Sequence, residues 1–336
     1  MSFPTRLLPL AALAATAAVG LVGCASSPAA SPVPAASIAP SATTAYPVTI
    51  DNCGFDVDVA AAPQRIVTIK STSTETLLAL GLGDRIIGEA FPDGPVADEW
   101  AADAATIPVI SDFAPSQEAV LALEPDFVYG GWESNFTPET AGDRAALSEL
   151  GIGSYVSPAA CKDDAYQPDP LTFDIVFDEI SEAGHLFGAD DAAATLVAEQ
   201  RADLAAISAD TRGLSALWYS SGSDIPYVGA GIGAPQMMLD AAGLTNIASE
   251  VQDTWTSFSW EAVVDADPDV IVLVDASWNT ADSKIAALEA NPATANLAAV
   301  QDGRYLRIPF AAGEAGVRNV AATASLVEQL SAIDLD

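Results

Sequence analysis

The chain has 336 residues, more than one average domain needs and enough for two. Half of the residues are hydrophobic and only 17% are charged, so sizeable cores can form, while 12 Lys and Arg against 46 Asp and Glu give a formal net charge of −34. That balance argues against nucleic acid and anionic lipid headgroups as partners, since both are bound through basic patches, and leaves a solvated acidic surface or docking onto a basic partner.

The first element in chain order has the form of a signal peptide. After Arg6 comes LLPLAALAATAAVGLVGC, an apolar stretch that ends in small residues. Its last four residues, Leu21-Val22-Gly23-Cys24, resemble a bacterial lipobox, which implies cleavage before Cys24 and lipid attachment to its sulfur. An uncleaved membrane anchor and a generic secretion signal stay open. Residues 24–47 are rich in Ala, Ser, Pro and Thr, lack hydrophobic periodicity and read as a flexible tether. Two cysteines remain, Cys53 and Cys161. In an exported protein an even count invites one disulfide, here between the first strand region and the loop after Tyr155, with two free thiols as the alternative.

From Arg65 onward strands and helices alternate. RIVTI is a short β-branched run; STSTETLLALGL offers Ser/Thr caps, an amphipathic helix and a Gly stop; RIIGEA is the next strand. PSQEAVLAL is a short helix with Ser116 at its N-cap and Glu118 in its first turn, and the Pro of Glu-Pro-Asp ends it. DFVYGG, DRAALSELGI and SYV continue the alternation. Residues 171–209 break it with two helical stretches and no strand. SALWYSS, PQMMLDAAG, WEAVVDADP, DVIVLVDA, KIAALEA, RYLRIPF and VAATASLVEQLSA then resume it. The expected fold is therefore α/β: two lobes with mostly parallel sheets, 48–170 and 210–336, joined by a helical connector and enclosing a ligand cleft.

One device occurs twice. EAVLALEPDFVY at 118–129 and EAVVDADPDVIV at 261–272 share a Glu-Ala-Val opening, a Pro-Asp pair seven residues later and an apolar run, all at an offset of 143 positions. Together with PQRIVTI, STETLLALGLGDRIIG and NPATANLAAVQDGRYLRIPF, this pair resembles the substrate-binding proteins of iron–siderophore and cobalamin ABC transporters. The resemblance runs from about Cys53 to the C-terminus. It implies two lobes joined by one long, rigid helix, here about 190–209, and only modest closure on ligand. It further implies that Glu118 and Glu261, one per lobe, dock with arginines of a dimeric permease served by an ATPase. A carboxylate on each lobe gives two-point registration on a two-halved partner. The plain alternative is that each Glu is a first-turn acid favoured by the helix dipole.

The cargo implied is a large chelate, for which aromatic walls are the natural contacts. Trp132 follows DFVYGG at a strand's carboxyl end, Trp278 follows DVIVLVDA, Phe310 ends RYLRIPF, Tyr227 lies in SDIPYVGAG, and Trp255 precedes Glu261 by six residues, where the resemblance implies an aromatic ligand contact. Each also reads as core packing. Arg318, in AGEAGVRNVAA, is a scarce cation near the expected cleft and fits the oxygen shell of a ferric chelate or a carboxylate; a surface Arg at a helix start is the alternative. No cofactor is expected, and iron enters only inside its chelate, so no protein metal ligands are needed. His185, the one histidine, sits in a helical stretch and reads as a packing or capping residue, which weakens haem. The expected protein is a monomeric, lipid-anchored receptor at the outer face of the bacterial cytoplasmic membrane, capturing a ferric siderophore. Neutral or cationic hydroxamates are favoured over anionic catecholates, and cobalamin or haem is the alternative cargo.

Rival classes find less support. A Ser-His-Asp hydrolase would have to use His185 without any G-x-S-x-G elbow, and no carboxylate pair stands out for a glycosidase. GAGIGA at 229–234 departs from the dinucleotide pattern. An extracellular hydrolase acting through a carboxylate pair and an adhesin remain the readings from other classes.

Overall fold

A computed structural model describes residues 44–334. The signal-peptide and tether expectations, Cys24 included, lie outside the described residues apart from 44–47. No helix among the described residues is long and apolar enough to cross a membrane.

The N-terminal lobe opens with an antiparallel hairpin, β1 (Val48–Asn52) and β2 (Phe55–Val59), which the periodicity did not announce. Then follow β3 (Ile66–Ile69), α1 (Ser71–Ala79), β4 (Ile86–Ala90), α2 (Ala101–Ala104), β5 (Val109–Ser111), α3 (Gln117–Leu121), β6 (Phe127–Gly130), α4 (Arg144–Glu149) and β7 (Gly153–Val156). The last five strands form one all-parallel sheet in the order β5-β4-β3-β6-β7. All four residues of β3 and all four of β6 are buried, as expected of a parallel strand covered on both faces.

Two helices follow, α5 (Phe173–Phe187) and α6 (Asp190–Ala206), packed on each other. Gly188 ends α5 in the left-handed conformation (φ 73°), and Thr172 caps its start by accepting from Ile175 N. α6 is about 25 Å long at 1.5 Å per residue. It ends at Ala206, three residues short of the expected 209, and touches both α5 and the last helix of the second lobe, Asn319–Ser331.

That lobe comprises β8 (Ser215–Ser221), β9 (Tyr227–Gly229), α7 (Ala234–Ala242), β10 (Thr245–Asn246), β11 (Trp255–Ser257), α8 (Trp260–Ala266), β12 (Val270–Asp275), α9 (Ala281–Ala290), α10 (Ala298–Gln301), β13 (Tyr305–Pro309), α11 (Phe310–Gly313) and α12 (Asn319–Ser331). Its sheet runs β11-β9-β8-β12-β13, with β10 beside β8. β8, β12 and β13 are parallel, while β9 and β11 are antiparallel additions. Tyr227, expected in a loop, and Trp255 both belong to strands: the pairings Trp255↔Gly229 and Ser257↔Tyr227 tie them into the sheet.

One hydrophobic cluster passes through both lobes, from Phe127, Tyr129 and Phe187 through Phe177 to Trp218, Phe310 and Leu326. Two smaller clusters cover the outer sheet faces, around Val128 and Leu147 and around Leu217 and Leu273. α1 departs from the expected amphipathic, Ser/Thr-capped helix. Lys70 is its N-cap residue and makes no side-chain cap, and eight of its nine residues are buried. Its hydroxyls turn inward: Ser73 donates to Ile69 O, Thr76 donates to Thr72 O, and Thr68 and Thr74 share a hydrogen bond of 2.7 Å. A helix enclosed on all sides can keep polar residues only if each finds a partner this way.

Candidate functional site

The repeated device is a repeat in three dimensions. Ser116 caps α3 by accepting from Ala119 N (3.3 Å), and Ser259 caps α8 by accepting from Ala262 N (3.0 Å). Glu124 (φ 50°) and Asp267 (φ 42°), also 143 positions apart, both take the left-handed conformation before their prolines. Asp126 accepts from the backbone N–H groups of Gln64 and Arg65, and Asp269 accepts from that of Ser215, so each Pro-Asp pair ties its strand to the start of the neighbouring strand. Val120 and Val263 are buried. Each of these residues has a structural task. Glu118 and Glu261 lie in the first turns of their helices, where the helix dipole favours an acid; both are exposed, and among the described residues no hydrogen bond or ion pair holds either carboxylate.

Between the lobes lies a cavity of about 370 Å³, within the range of small-molecule sites. Trp132, Tyr227, Trp255, Trp278 and Phe310 all line it. Three of them sit just past the carboxyl ends of parallel strands, Trp132 after β6, Trp278 after β12 and Phe310 after β13. That is where side chains of an α/β sheet converge on a ligand. Phe310 lies edge-to-face with Trp132 (6.3 Å, 62°) and with Trp278 (5.5 Å, 63°), so one aromatic ridge crosses from lobe to lobe. Tyr227 and Trp255 stack at 6.2 Å and 14°.

Beneath the ridge lies a charged floor that the sequence did not reveal. Lys70, fully buried at the end of β3, pairs with Asp93. Its ammonium lies 3.8 Å from the Trp132 ring centroid, 4.0 Å from Phe91 and 4.5 Å from Phe310, a cation held among aromatic faces. Glycine at 131 makes this approach possible, because a Cβ there would meet Lys70 Cβ at 2.8 Å and Thr72 Oγ1 at 2.7 Å. Trp132 Nε1 donates to Glu314 Oε2 at 2.6 Å across the lobes, and Ser277 N donates to Asp93 O at 2.9 Å. Burial raises the Glu314 and Asp93 carboxyls above their ordinary values and lowers Lys70, with the opposite charges partly offsetting each shift. The only signal for Lys70 was a scarce basic residue at a strand's end. Glu314 stood in the AGEAGVRN segment from which Arg318 was chosen.

Arg318 does not line the cavity. Its guanidinium bonds Glu75 Oε1 at 3.1 Å behind the wall, joining α1 to the start of α12. An almost fully buried carboxylate on α1 holds it there, and burial pushes that Glu75 carboxyl up to about 7. His185 lies in the last turn of α5, half-exposed, and its Nδ1 bonds Asp190 Oδ1 at 2.9 Å. Cys53, in the β1–β2 turn, is disulfide-bonded to Cys161. The neighbours of Cys161, Ala160 and Lys162, line the cavity, so the bridge fixes one wall.

The family model for periplasmic binding proteins matches residues 66–312, spanning both sheets and the connector. The chain belongs to that family. It is 27% identical over 241 residues to a Bacillus subtilis protein described as an uncharacterized ABC transporter substrate-binding lipoprotein, YvrC, covering 69% of this chain and 71% of that one. It is 30% identical over 243 residues to a cobalamin-binding protein of Halobacterium salinarum, covering 68% of this chain but 58% of the relative. Among solved structures, an ABC-type Fe3+-hydroxamate transport system protein from Saccharomonospora viridis superposes with a TM-score of 0.73 at 28% identity, over 85% of this chain and 99% of that one. The two-lobed α/β fold expected from the alternation is the fold of this family.

Proposed function

We propose that the protein is the substrate-binding component of an ABC importer, and that it captures a neutral or cationic ferric hydroxamate in the inter-lobe cavity. The observation that carries the reading is the cavity itself. Five aromatic side chains from two lobes supply apolar contact, while the lining holds one cation, Lys162, and one carboxylate, Glu314. A trianionic catecholate complex would meet a single exposed lysine opposed by an acid. A tris-hydroxamate complex is neutral at its metal and needs no such neutralisation. One carboxylate is too few donors for bare ferric iron, which supports cargo whose coordination shell is already filled. The Saccharomonospora likeness supports the same chemistry.

Delivery follows from Glu118 and Glu261. Two exposed, unpaired carboxylates at equivalent places on two lobes suit two arginine sites on a pseudo-symmetric permease. Anchoring through Cys24 is supported by the lipobox pattern and by the lipoprotein description of the Bacillus relative. A single-chain receptor that binds and releases without turnover needs no nucleophile or catalytic carboxylate pair.

Cobalamin is the second reading, favoured by the Halobacterium relative and by the aromatic walls. A tryptophan-fluorescence titration of the tetherless protein, with inner-filter controls and calorimetry, separates the two. The panel is a ferric hydroxamate, a ferric catecholate, ferric citrate, cobalamin and haem. Saturation by the hydroxamate with no response to its iron-free form is the expected result. Saturation by cobalamin alone would replace the cargo and keep the receptor.

A further inference from the structure

The carboxylate of Glu314 is only half used. Oε2 accepts from the Trp132 indole at 2.6 Å, while Oε1 has no hydrogen-bond partner among the described residues and is not enclosed by protein, in a side chain that lines the cavity. The charges around it leave a deficit. Lys70 is committed to Asp93 and sealed beneath the rings, so Lys70, Asp93 and Glu314 together carry one uncompensated negative charge. Lys162, the one cation in the lining, is an exposed residue and has the weakest of the recorded effects on Glu314. Tyr227 also faces this carboxylate and adds no positive charge. A half-buried carboxylate with a free oxygen, on the wall of an apolar cavity, is incomplete until a donor reaches it.

We infer that Glu314 is the residue that selects the cargo, receiving on Oε1 a primary ammonium carried by the bound chelate while the aromatic ridge covers the chelate's hydrocarbon backbone. This rests on the hydroxamate reading and deepens it, from chelates in general to chelates with a pendant amine. Aromatic surface favours the same group, and Trp278, 44% exposed, leaves such surface open to it.

The test compares ferrioxamine B, a ferric tris-hydroxamate neutral at its metal and carrying a pendant primary ammonium, and its N-acetylated form, on the folded protein. Salt of about 0.3 M screens the distant surface acids. The expected result is at least tenfold tighter binding of the amine form, a ratio that falls to near one in Glu314→Gln. Should Glu314→Gln fail to fold, Glu314→Asp, which draws the charge back, must lower the ratio. Equal binding of both chelates by the wild type would overturn this inference and leave the receptor reading intact. A ratio that persists in Glu314→Gln would assign the ammonium to another group. Binding of neither chelate by folded wild-type protein would overturn both readings.

Discussion

Trp132 and Glu314, 182 positions apart, meet at 2.6 Å as indole donor and carboxylate acceptor, one from each lobe. The contact closes the floor of the cavity and joins the two halves of the aromatic ridge. Trp132→Phe keeps a ring over Lys70 but removes the donor. We expect a loss of about 1–3 kcal/mol in unfolding free energy, the ordinary cost of leaving a buried charged acceptor without its hydrogen bond, together with weaker chelate binding. Denaturant titration and the fluorescence assay read the two effects separately.

The two repeat carboxylates give a different signature. Glu118→Ala and Glu261→Ala remove exposed first-turn carboxylates, so stability should fall by no more than about 1 kcal/mol and chelate affinity should stay within experimental error of the wild type. Uptake by cells, or binding to the reconstituted permease, should fall with either change and further with both. Loss of chelate binding in these variants would remove the docking role.

Acidity should stabilise the protein. Burial raises Glu75 to about 7 and Glu179 to about 8, and it raises Glu89, Asp93, Glu182 and Glu314 as well. A carboxyl whose folded pKa exceeds its unfolded value binds its proton more tightly when folded. Its contribution is complete below about 4.5 and is lost as pH rises through the folded pKa. For Glu75 the difference is on the order of 3 kcal/mol between pH 4.5 and 8. The melting temperature should therefore rise as pH falls from 8 to 5, and Glu75→Gln should flatten part of that slope. Protonation of Glu75 also weakens its charge attraction to Arg318. A melting temperature that falls over this range would contradict the assignment of these groups as buried acids.

The disulfide closes a span of 108 positions between Cys53 and Cys161. Loop-closure entropy for a span of that length gives a stabilisation of roughly 4–5 kcal/mol, an upper figure for a bridge whose reduced form stays native-like. Reduction, or Cys53→Ser with Cys161→Ser, should lower the denaturation midpoint. It should also weaken chelate binding, because the segment held by the bridge supplies Ala160 and Lys162 to the cavity.

Local sequence determined the alternating elements. Apolar runs such as IVTI and VIVLVD have nowhere to go but the middle of a covered sheet, and Ser116 and Ser259 carry the caps of their helices by themselves. The doubled Glu-Ala-Val and Pro-Asp pattern was legible for the same reason: capping, a positive φ before proline and a strand-end carboxylate are all short-range devices. Trp132, Trp278 and Phe310 could be named because strand ends point at the cleft, and Trp255 through the resemblance. The hairpin around Cys53 and the short antiparallel strands carrying Tyr227 and Trp255 are not legible in the chain, since three- to five-residue strands hold too few alternations to show a period. Only the tertiary structure decided which charges matter. Arg318 turns away to Glu75, whereas Lys70 and Glu314, unremarkable in the chain, both reach Trp132. A charge takes its role from burial and from partners as much as 243 positions distant, and no local pattern encodes either.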